Sequence, residues 1–253
     1  MESREPQVDW EVLFGGDYEY FDFPELDHEL TATEVSTMVE LTELKPGMAV
    51  LDAPCGHGRH ANAFAARGYA VVGVDRDERF LATAKRDAAD LGAEVDYRSL
   101  DLREMTFQAE FDAAISWYSS FGYFDDETDR EILRRYRVAL RPGGRFLLDM
   151  QSPYRLIPSL RNNYNSHTYV LRRGDDIALD VLELDAVASR FYAERITIRG
   201  SAHQRARYCV RMFTAPEILE WFRTAGFAEA RVVDETGGDF TVTSRRLRVI
   251  GRA

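Results

Sequence analysis

Two aspartates, Asp52 and Asp75, each follow a short apolar run and flank a turn that contains glycine. The segment from Val50 to Asp75 reads VLDAPCGHGRHANAFAARGYAVVGVD, with Gly56 and Gly58 in the turn. Carboxylates at these positions can accept hydrogen bonds from hydroxyl groups or attract a cation, and glycines let a ligand lie against backbone amides. The residues therefore indicate a small-molecule site that uses carboxylates together with main-chain groups.

A strand, a helix and a second strand must position these residues. Ala49 to Leu51 is apolar without alternation, which is typical of a parallel strand covered by helices on both faces. The stretch after the turn predicts a helix that ends at Gly68, and Ala70 to Val74 predicts a second strand parallel to the first. Asp52 and Asp75 would then stand at the carboxyl ends of neighbouring strands, where an open α/β sheet binds its ligands.

The composition of the loop distinguishes between two classes of nucleotide ligand. The dinucleotide fingerprint G-x-G-x-x-G is absent, because the loop reads D-A-P-C-G-H-G, with Pro54 where the first glycine would be. Asp52 would repel a pyrophosphate but attract the α-ammonium of a methionine moiety, and Asp75 can accept both hydroxyls of a ribose. These details favour S-adenosylmethionine over a dinucleotide. A purely structural turn would account for the glycines but not for acids at both strand ends.

The chain resembles the class I S-adenosylmethionine-dependent methyltransferases, and more narrowly a bacterial group with an L-D-x-P-C-G-x-G-R-H loop. The resemblance continues in FDAAISWYSSFGYF (111–124), LRPGGRFLLDM (140–150) and FTAPEILEWFRTAGF (213–227). It implies an α/β, doubly wound, mostly parallel seven-stranded Rossmann-like sheet with an antiparallel last strand. Pro54 departs from the glycine that is usual in the wider class, so the backbone contacts at this position are open.

The resemblance also implies which positions contact the cofactor. Asp101, after a short strand near Glu94 to Tyr97, occupies the position where the family commonly has an acid that contacts the adenine amino group. The expected cofactor-binding residues are Asp52, Ala53, Pro54, Gly56, Gly58, Asp75, Arg76, Asp101, Leu102, Ser116 and Trp117.

Three regions follow from the pattern of the chain. We predict an N-terminal cap or lid over residues 1–46, a Rossmann-like core over 47–151 and 212–253, and an antiparallel β insertion over 152–211 that acts as a substrate lid. In the first region Thr31 and Glu34 have the form of a capping box at the start of a helix. In the insertion Arg205, Arg207 and Arg211 share one strand face, which favours a solvated surface or, alternatively, a site for an acidic substrate.

Catalytic residues are not defined by any motif in this sequence. Methyl transfer needs no dedicated base for an amine acceptor, whereas a hydroxyl acceptor requires a group within hydrogen-bond reach. Candidates by position are Tyr18 in an aromatic N-terminal segment, Tyr118, Tyr123 and His203. His57 and His60 lack the spacing of a metal pair and have no completing ligands, so we predict no metal site.

Composition limits the partners. The formal net charge of −11 disfavours a sequence-independent hold on nucleic acid, which depends on Lys and Arg neutralising phosphates. The two cysteines, Cys55 and Cys209, are far apart and form no disulfide framework. No apolar run is long enough to span a bilayer. We therefore expect a cytoplasmic protein without a membrane partner, either a monomer or a homodimer.

The sequence predicts an enzyme that moves a methyl group from S-adenosylmethionine to a nitrogen or oxygen of a small molecule by in-line displacement. Two alternatives stay open. One is an RNA or protein methyltransferase, and the other is a non-catalytic protein that binds S-adenosylmethionine or S-adenosylhomocysteine.

Overall fold

The chain folds into two compact units. The structure, a computed structural model, describes residues 7–23, 27–160 and 166–253. The larger unit comprises residues 28–120, 127–152 and 214–253, and the smaller unit comprises the described residues of 1–27, 121–126 and 153–213.

The helices and strands alternate through the larger unit. The helices are α1 (Trp10–Leu13), α2 (Gly16–Asp22), α3 (His28–Thr42), α4 (Arg59–Ala65), α5 (Glu78–Leu91), α6 (Asp126–Ala139), α7 (Pro153–Leu160) and α8 (Ala215–Thr224). The strands are β1 (Ala49–Asp52), β2 (Ala70–Asp75), β3 (Val95–Ser99), β4 (Phe111–Ser116), β5 (Leu140–Gln151), β6 (Ser166–Arg173), β7 (Asp176–Asp185), β8 (Arg190–Arg199), β9 (Ala202–Arg211), β10 (Glu229–Val233) and β11 (Arg246–Arg252).

A seven-stranded sheet forms the centre of the larger unit. Its strand order is β10-β11-β5-β4-β1-β2-β3, and β1 to β5 run parallel to their neighbours within that group. The last strand, β11, is antiparallel to both β5 and β10. Apolar residues such as Leu51, Ile115 and Leu147 are fully buried, as expected for strands that are covered on both faces. The predicted fold class is confirmed.

The first helix of the larger unit begins earlier than its capping signal predicts. Helix α3 starts at His28, so Thr31 lies inside it and does not cap it. The Glu34 carboxylate binds Arg59 and His60 of α4 instead of the helix N-terminus. The predicted capping box at Thr31 and Glu34 is therefore wrong, because a charge partner from another helix competes for the same carboxylate.

The smaller unit is built on the predicted antiparallel insertion. Strands β6, β7, β8 and β9 pair in sequence order, each antiparallel to the next. Its apolar cluster includes Leu182, Phe191 and Met212. The N-terminal helix α2 is joined to this sheet by ion pairs, Asp17 with Arg199 at 2.9 Å and Asp22 with Arg195 at 2.9 Å. The N-terminal segment and the insertion therefore belong to one unit.

The observed division differs from the predicted one at its first boundary. We predicted that residues 1–46 form one segment, whereas the larger unit begins at His28. The reason is that α3 buries Val35 and Met38 in the core of the larger unit, so this helix packs with the sheet and not with the residues before it. The assignment of the N-terminal segment and the insertion as lids stays a prediction.

Candidate functional site

Asp52 and Asp75 lie at the same edge of the parallel sheet. Asp52 is the last residue of β1 and pairs in register with Gly73 of β2 and Ile115 of β4. Asp75 is the last residue of β2, two positions beyond Gly73. Because parallel strands end at one edge, both carboxylates stand where the sequence predicts a ligand.

The loop between β1 and α4 is fixed by hydrogen bonds to β2. The Cys55 amide donates to the Val74 carbonyl at 2.8 Å, and the Gly56 amide donates to Asp75 Oδ2 at 2.8 Å. Pro54 follows Ala53 through a cis peptide bond. The loop is therefore tied directly to the carboxylate that we expect to bind the ribose.

Asp75 is a buried acceptor with capacity to spare. Its Oδ1 accepts the Asp77 amide at 2.9 Å, and its Oδ2 accepts the Gly56 amide. Burial raises the pKa of Asp75, and the backbone hydrogen bonds oppose that rise. A carboxylate offers about four lone-pair sites, so it can accept further hydrogen bonds from a ligand.

Asp52 is buried and incompletely satisfied. Its side chain is 2% exposed, and no group in the described part of the chain donates a hydrogen bond to its Oδ2. Burial raises its pKa to about 7, although the charge of Arg59 opposes the rise. A buried carboxylate oxygen without a partner is costly, and a cationic ligand group would satisfy it. The site therefore fits the ammonium end of S-adenosylmethionine.

The two loop glycines are required for different reasons. Both have positive φ, +54° at Gly56 and +78° at Gly58. A Cβ at Gly56 would meet nothing within 4 Å, so only the backbone conformation selects glycine there. A Cβ at Gly58 would lie 2.3 Å from Tyr97 Oη and 2.6 Å from Ala84 Cβ. Gly58 thus lets the start of α4 pack on β3 and α5, a role that the sequence did not reveal.

Asp101 lies beside Asp75, as the resemblance implies. The Leu100 amide donates to the Asp75 carbonyl at 3.0 Å, which places Asp101 at the same sheet edge. Its carboxylate pairs with Arg103 at 2.9 Å and with Arg76 at 3.7 Å. Burial alone raises the pKa of Asp101, but the hydrogen bonds from Arg103 outweigh it and the net shift is downward. Asp101 and Arg76 are thus brought together, next to Leu102 at the start of a 3-10 helix.

Ser116 and Trp117 complete the expected cofactor positions at the end of β4, and both are buried. The Trp117 ring lies against the Arg248 guanidinium, 4.4 Å from its Cζ, and its Nε1 donates to Glu34 Oε1 at 3.2 Å. The indole is therefore used inside the larger unit.

Glu34 is a residue of this edge that sequence reasoning did not place. It accepts hydrogen bonds from Arg59, from Trp117 and, at 2.8 Å, from His60. Burial alone raises the pKa of Glu34, but the bonds from His60 and Arg59 lower it to about 2. No sequence signal marks this pairing, because Glu34 is 25 residues from Arg59 along the chain.

The four candidate catalytic residues divide between the units. Tyr118 belongs to the larger unit and is 53% exposed. Tyr18 and Tyr123 belong to the smaller unit, with ring centroids 5.2 Å and 6.2 Å from that of Phe14. Burial raises the pKa of Tyr123 to about 12, so its hydroxyl is protonated at neutral pH. His203 is exposed on β9.

The three arginines of β9 have different environments. Arg205 and Arg207 are exposed, and Arg205 lies 3.3 Å from Glu194. Arg211 is buried and pairs with Asp126 at 3.3 Å. The solvated face that we predicted describes the first two, whereas Arg211 is part of an internal ion pair.

Nearby cysteine and histidine side chains are structural. Burial raises the pKa of the Cys55 thiol, which opposes a nucleophilic role. Burial and the neighbouring charges of Arg59 and His60 lower the pKa of His57 to about 4, so its ring is neutral at pH 7. Within residues 7–23, 27–160 and 166–253, no group of three or more potential metal ligands comes together. No helix of these residues is long and apolar enough to cross a membrane.

A family model supports the reading of this edge. The model described as "Methyltransferase domain" matches residues 50–144, which include β1 to β4, α4, α5 and all eleven expected cofactor positions.

Curated relatives share only part of the chain. The ubiquinone biosynthesis O-methyltransferase of Dechloromonas aromatica (strain RCB) is 41% identical over 69 residues, which are 26% of this chain and 30% of that protein. The chain spans about half or less of the length of the curated relatives it matches.

Solved structures share the whole fold. An S-adenosylmethionine-dependent methyltransferase from Clostridium acetobutylicum ATCC 824 superimposes with a TM-score of 0.73 at 14% identity, covering 96% of this chain and 99% of that chain. The amino pentose methyltransferase CalS10 from Micromonospora echinaspora, solved with S-adenosylmethionine, gives a TM-score of 0.64 at 21% identity and covers 89% and 91%. At these identities the likeness shows the fold.

The family model, the sheet order and the fold of these structures agree with the loop chemistry. S-adenosylmethionine, which the sequence predicts, is the cofactor of this family. Residues 50–144 therefore form a methyltransferase domain, and the chain belongs to the class I S-adenosylmethionine-dependent methyltransferases.

Proposed function

We propose that this protein transfers a methyl group from S-adenosylmethionine to a nitrogen or oxygen of a small molecule. The observation that carries the proposal is the pair of buried carboxylates, Asp52 and Asp75, at the ends of neighbouring parallel strands. They flank a glycine loop inside the methyltransferase domain. A site with this charge suits a cationic, phosphate-free ligand.

Each carboxylate has a separate task in this proposal. Asp75 accepts the ribose hydroxyls while its Oδ2 holds the Gly56 amide, so the loop and the ligand share one anchor. Asp52 receives the α-ammonium group at its unsatisfied Oδ2, directly or through water. Asp101 contacts the adenine amino group, as the family resemblance implies, with Arg76 and Arg103 holding its carboxylate.

The cofactor supplies a methyl group that is already activated by a positively charged sulfur. The protein residues therefore contribute orientation and exclusion of water, which together can account for much of a rate acceleration. Tyr118, exposed on the loop after β4, is the candidate acceptor contact in the larger unit. An amine acceptor needs no base from the protein, whereas a hydroxyl acceptor would need one.

A small acceptor is favoured by charge. The net charge of −11 opposes phosphate binding over an extended surface. The relative from Dechloromonas aromatica is named as an O-methyltransferase and CalS10 as an amino pentose methyltransferase, so phenolic oxygen and sugar nitrogen are both reasonable acceptor classes. Cys55 and Cys209 are both free, which supports a reducing compartment such as the cytoplasm.

The experiment that tests the proposal has two stages. Isothermal titration with S-adenosylhomocysteine reports cofactor binding, and a panel of phenols, amino sugars and heterocyclic amines with methyl-labelled S-adenosylmethionine reports transfer. We expect binding, and transfer to at least one class. Binding without transfer to any member would favour the non-catalytic alternative, and absence of binding would overturn the proposal.

A further inference from the structure

The loop after β4 has an unfavourable backbone. Tyr118 and Ser119 are consecutive non-glycine residues with φ of +61° and +62°. A side chain at Cβ makes this left-handed conformation unfavourable, so it persists only where neighbouring contacts hold it. The contacts of these two residues therefore show what the loop is built to do.

Asp149, near the end of β5, holds both residues. Its Oδ2 accepts the Tyr118 amide at 3.1 Å, and its backbone carbonyl accepts the Ser119 amide at 3.0 Å. The Ser119 hydroxyl in turn accepts the Gln151 amide at 3.0 Å. The main chain of the loop is thus bonded to one short segment of β5.

The Asp149 carboxylate is itself fixed from β11. It is 1% exposed, and its Oδ1 accepts Arg248 Nε at 3.0 Å and Arg246 Nε at 3.2 Å. Arg246 Nη2 also donates to Asp149 Oδ2 and, at 3.0 Å, to Ser119 Oγ. A buried carboxylate needs such partners, and here two guanidiniums leave it one orientation.

The contacts leave the Tyr118 ring in solvent. The ring is 53% exposed and lies between two arginines, 5.9 Å from Arg59 Cζ and 5.7 Å from Arg246 Cζ. The preceding residue, Trp117, is buried. The left-handed turn therefore separates two consecutive aromatic side chains, one into the core and one toward solvent.

We propose that Asp149 is a positioning residue that presents the Tyr118 ring to the methyl acceptor. The loop starts at the edge that carries Asp52, because Asp52 pairs with Ile115 just before it. This inference rests on the proposed function for the presence of an acceptor. Asp149 acts through the main chain of Tyr118 and Ser119 and does not itself touch substrate.

The test is the substitution Asp149→Asn, which keeps size and one acceptor oxygen but removes the charge that orients both arginines. We expect hydrogen exchange at residues 117–120 to accelerate by about tenfold or more. Affinity for S-adenosylhomocysteine, measured by titration, should stay unchanged. For the panel acceptor with the highest wild-type turnover, kcat/KM should fall by roughly tenfold to a hundredfold.

Asp112→Asn is the matched control. Asp112 is also a carboxylate of this sheet that binds a backbone amide, Ala49 at 2.8 Å, and an arginine, Arg141 at 2.7 Å. It lies at the opposite end of β4 from the loop. We expect it to change neither exchange at residues 117–120 nor acceptor kinetics.

A second substitution separates positioning from general stability. Ser119→Gly accepts the positive φ without strain. Combined with Asp149→Asn, it should restore part of the lost kcat/KM. Unchanged exchange in Asp149→Asn would overturn the inference, as would exchange that spreads through the larger unit together with weaker S-adenosylhomocysteine binding. If wild-type protein fails to bind S-adenosylhomocysteine, the proposed function fails, whereas the exchange comparison with Asp112→Asn still decides whether Asp149 holds the loop.

Discussion

At the scale of single residues, the two carboxylates of the site differ in their partners. Asp75 already holds two backbone amides, whereas Asp52 has an oxygen to which nothing in the described chain donates. Asp75 therefore serves the structure of the loop even without a ligand. Asp52 gains most from a ligand, because the ligand would supply the missing partner.

The first prediction concerns Asp75. We expect Asp75→Ala to weaken S-adenosylhomocysteine binding by about 1–3 kcal/mol, or roughly fivefold to 150-fold in Kd, because a charged hydrogen-bond acceptor is lost. Isothermal titration measures the change. Asp90→Ala, which removes an exposed carboxylate from α5, is the control and should bind like wild type. Equal affinity in both variants would remove Asp75 from the site.

The second prediction concerns the pH dependence of binding. The pKa of Asp52 is about 7 because of burial, so the side chain is largely protonated below that pH. A bound ammonium favours the ionised form and lowers this pKa, so affinity should tighten as pH rises toward 7 and level off above it. The slope is at most about tenfold per pH unit. Titration of S-adenosylhomocysteine across this range should show the slope in wild type and a flat profile in Asp52→Asn.

At the scale of elements, the structure depends on how closely α4 approaches its neighbours. Gly58 precedes α4 in a left-handed conformation and faces Tyr97 of β3 and Ala84 of α5. Tyr97 Oη donates to Asn62 Oδ1 at 2.6 Å, which joins the helix to the sheet. The glycine loop is thus a packing device as well as a ligand site.

The third prediction separates these roles. Gly58→Ala should lower the free energy of unfolding by about 2–4 kcal/mol, because it adds a steric overlap to the cost of a positive φ. Gly68→Ala is the control, since Gly68 has φ +84° but nothing within 4 Å of a Cβ. It should cost only about 1–2 kcal/mol. Urea unfolding measures both, and equal losses would show that packing at Gly58 contributes nothing.

Element prediction from sequence succeeded where the pattern was local and failed where a distant partner intervened. The apolar runs and glycines near residues 49–75 predict β1, α4 and β2, and the structure places all three there. Thr31 and Glu34 read as a capping box, but Arg59 and His60 bind Glu34 and α3 starts at His28. A capping motif cannot reveal a competing ion pair from another helix.

At the scale of the whole molecule, net charge is the property that bears on acceptor class. The chain carries 43 acidic and 32 basic residues. Such a balance opposes association with a polyanion, although local basic patches can oppose the average. The acceptor class is therefore testable without knowing the acceptor.

The fourth prediction follows from this charge. We expect no increase in the fluorescence anisotropy of labelled RNA when the protein is added at low salt, where phosphate binding is strongest. A basic RNA-binding protein serves as the positive control. Binding whose logarithm falls linearly with the logarithm of salt concentration would favour the RNA methyltransferase alternative over a small acceptor.

The sequence by itself determined the fold class, the cofactor and the ends of the strands that carry Asp52 and Asp75. These features follow from the order of apolar runs, glycines and acids along short stretches, and short-range patterns survive without knowledge of tertiary contacts. Only the tertiary structure decided the partners of Glu34 and Asp149, the packing role of Gly58 and the exposure of Tyr118 beside buried Trp117. Each depends on atoms brought together from distant parts of the chain, as when β11 supplies Arg246 and Arg248 to a carboxylate about 100 positions earlier.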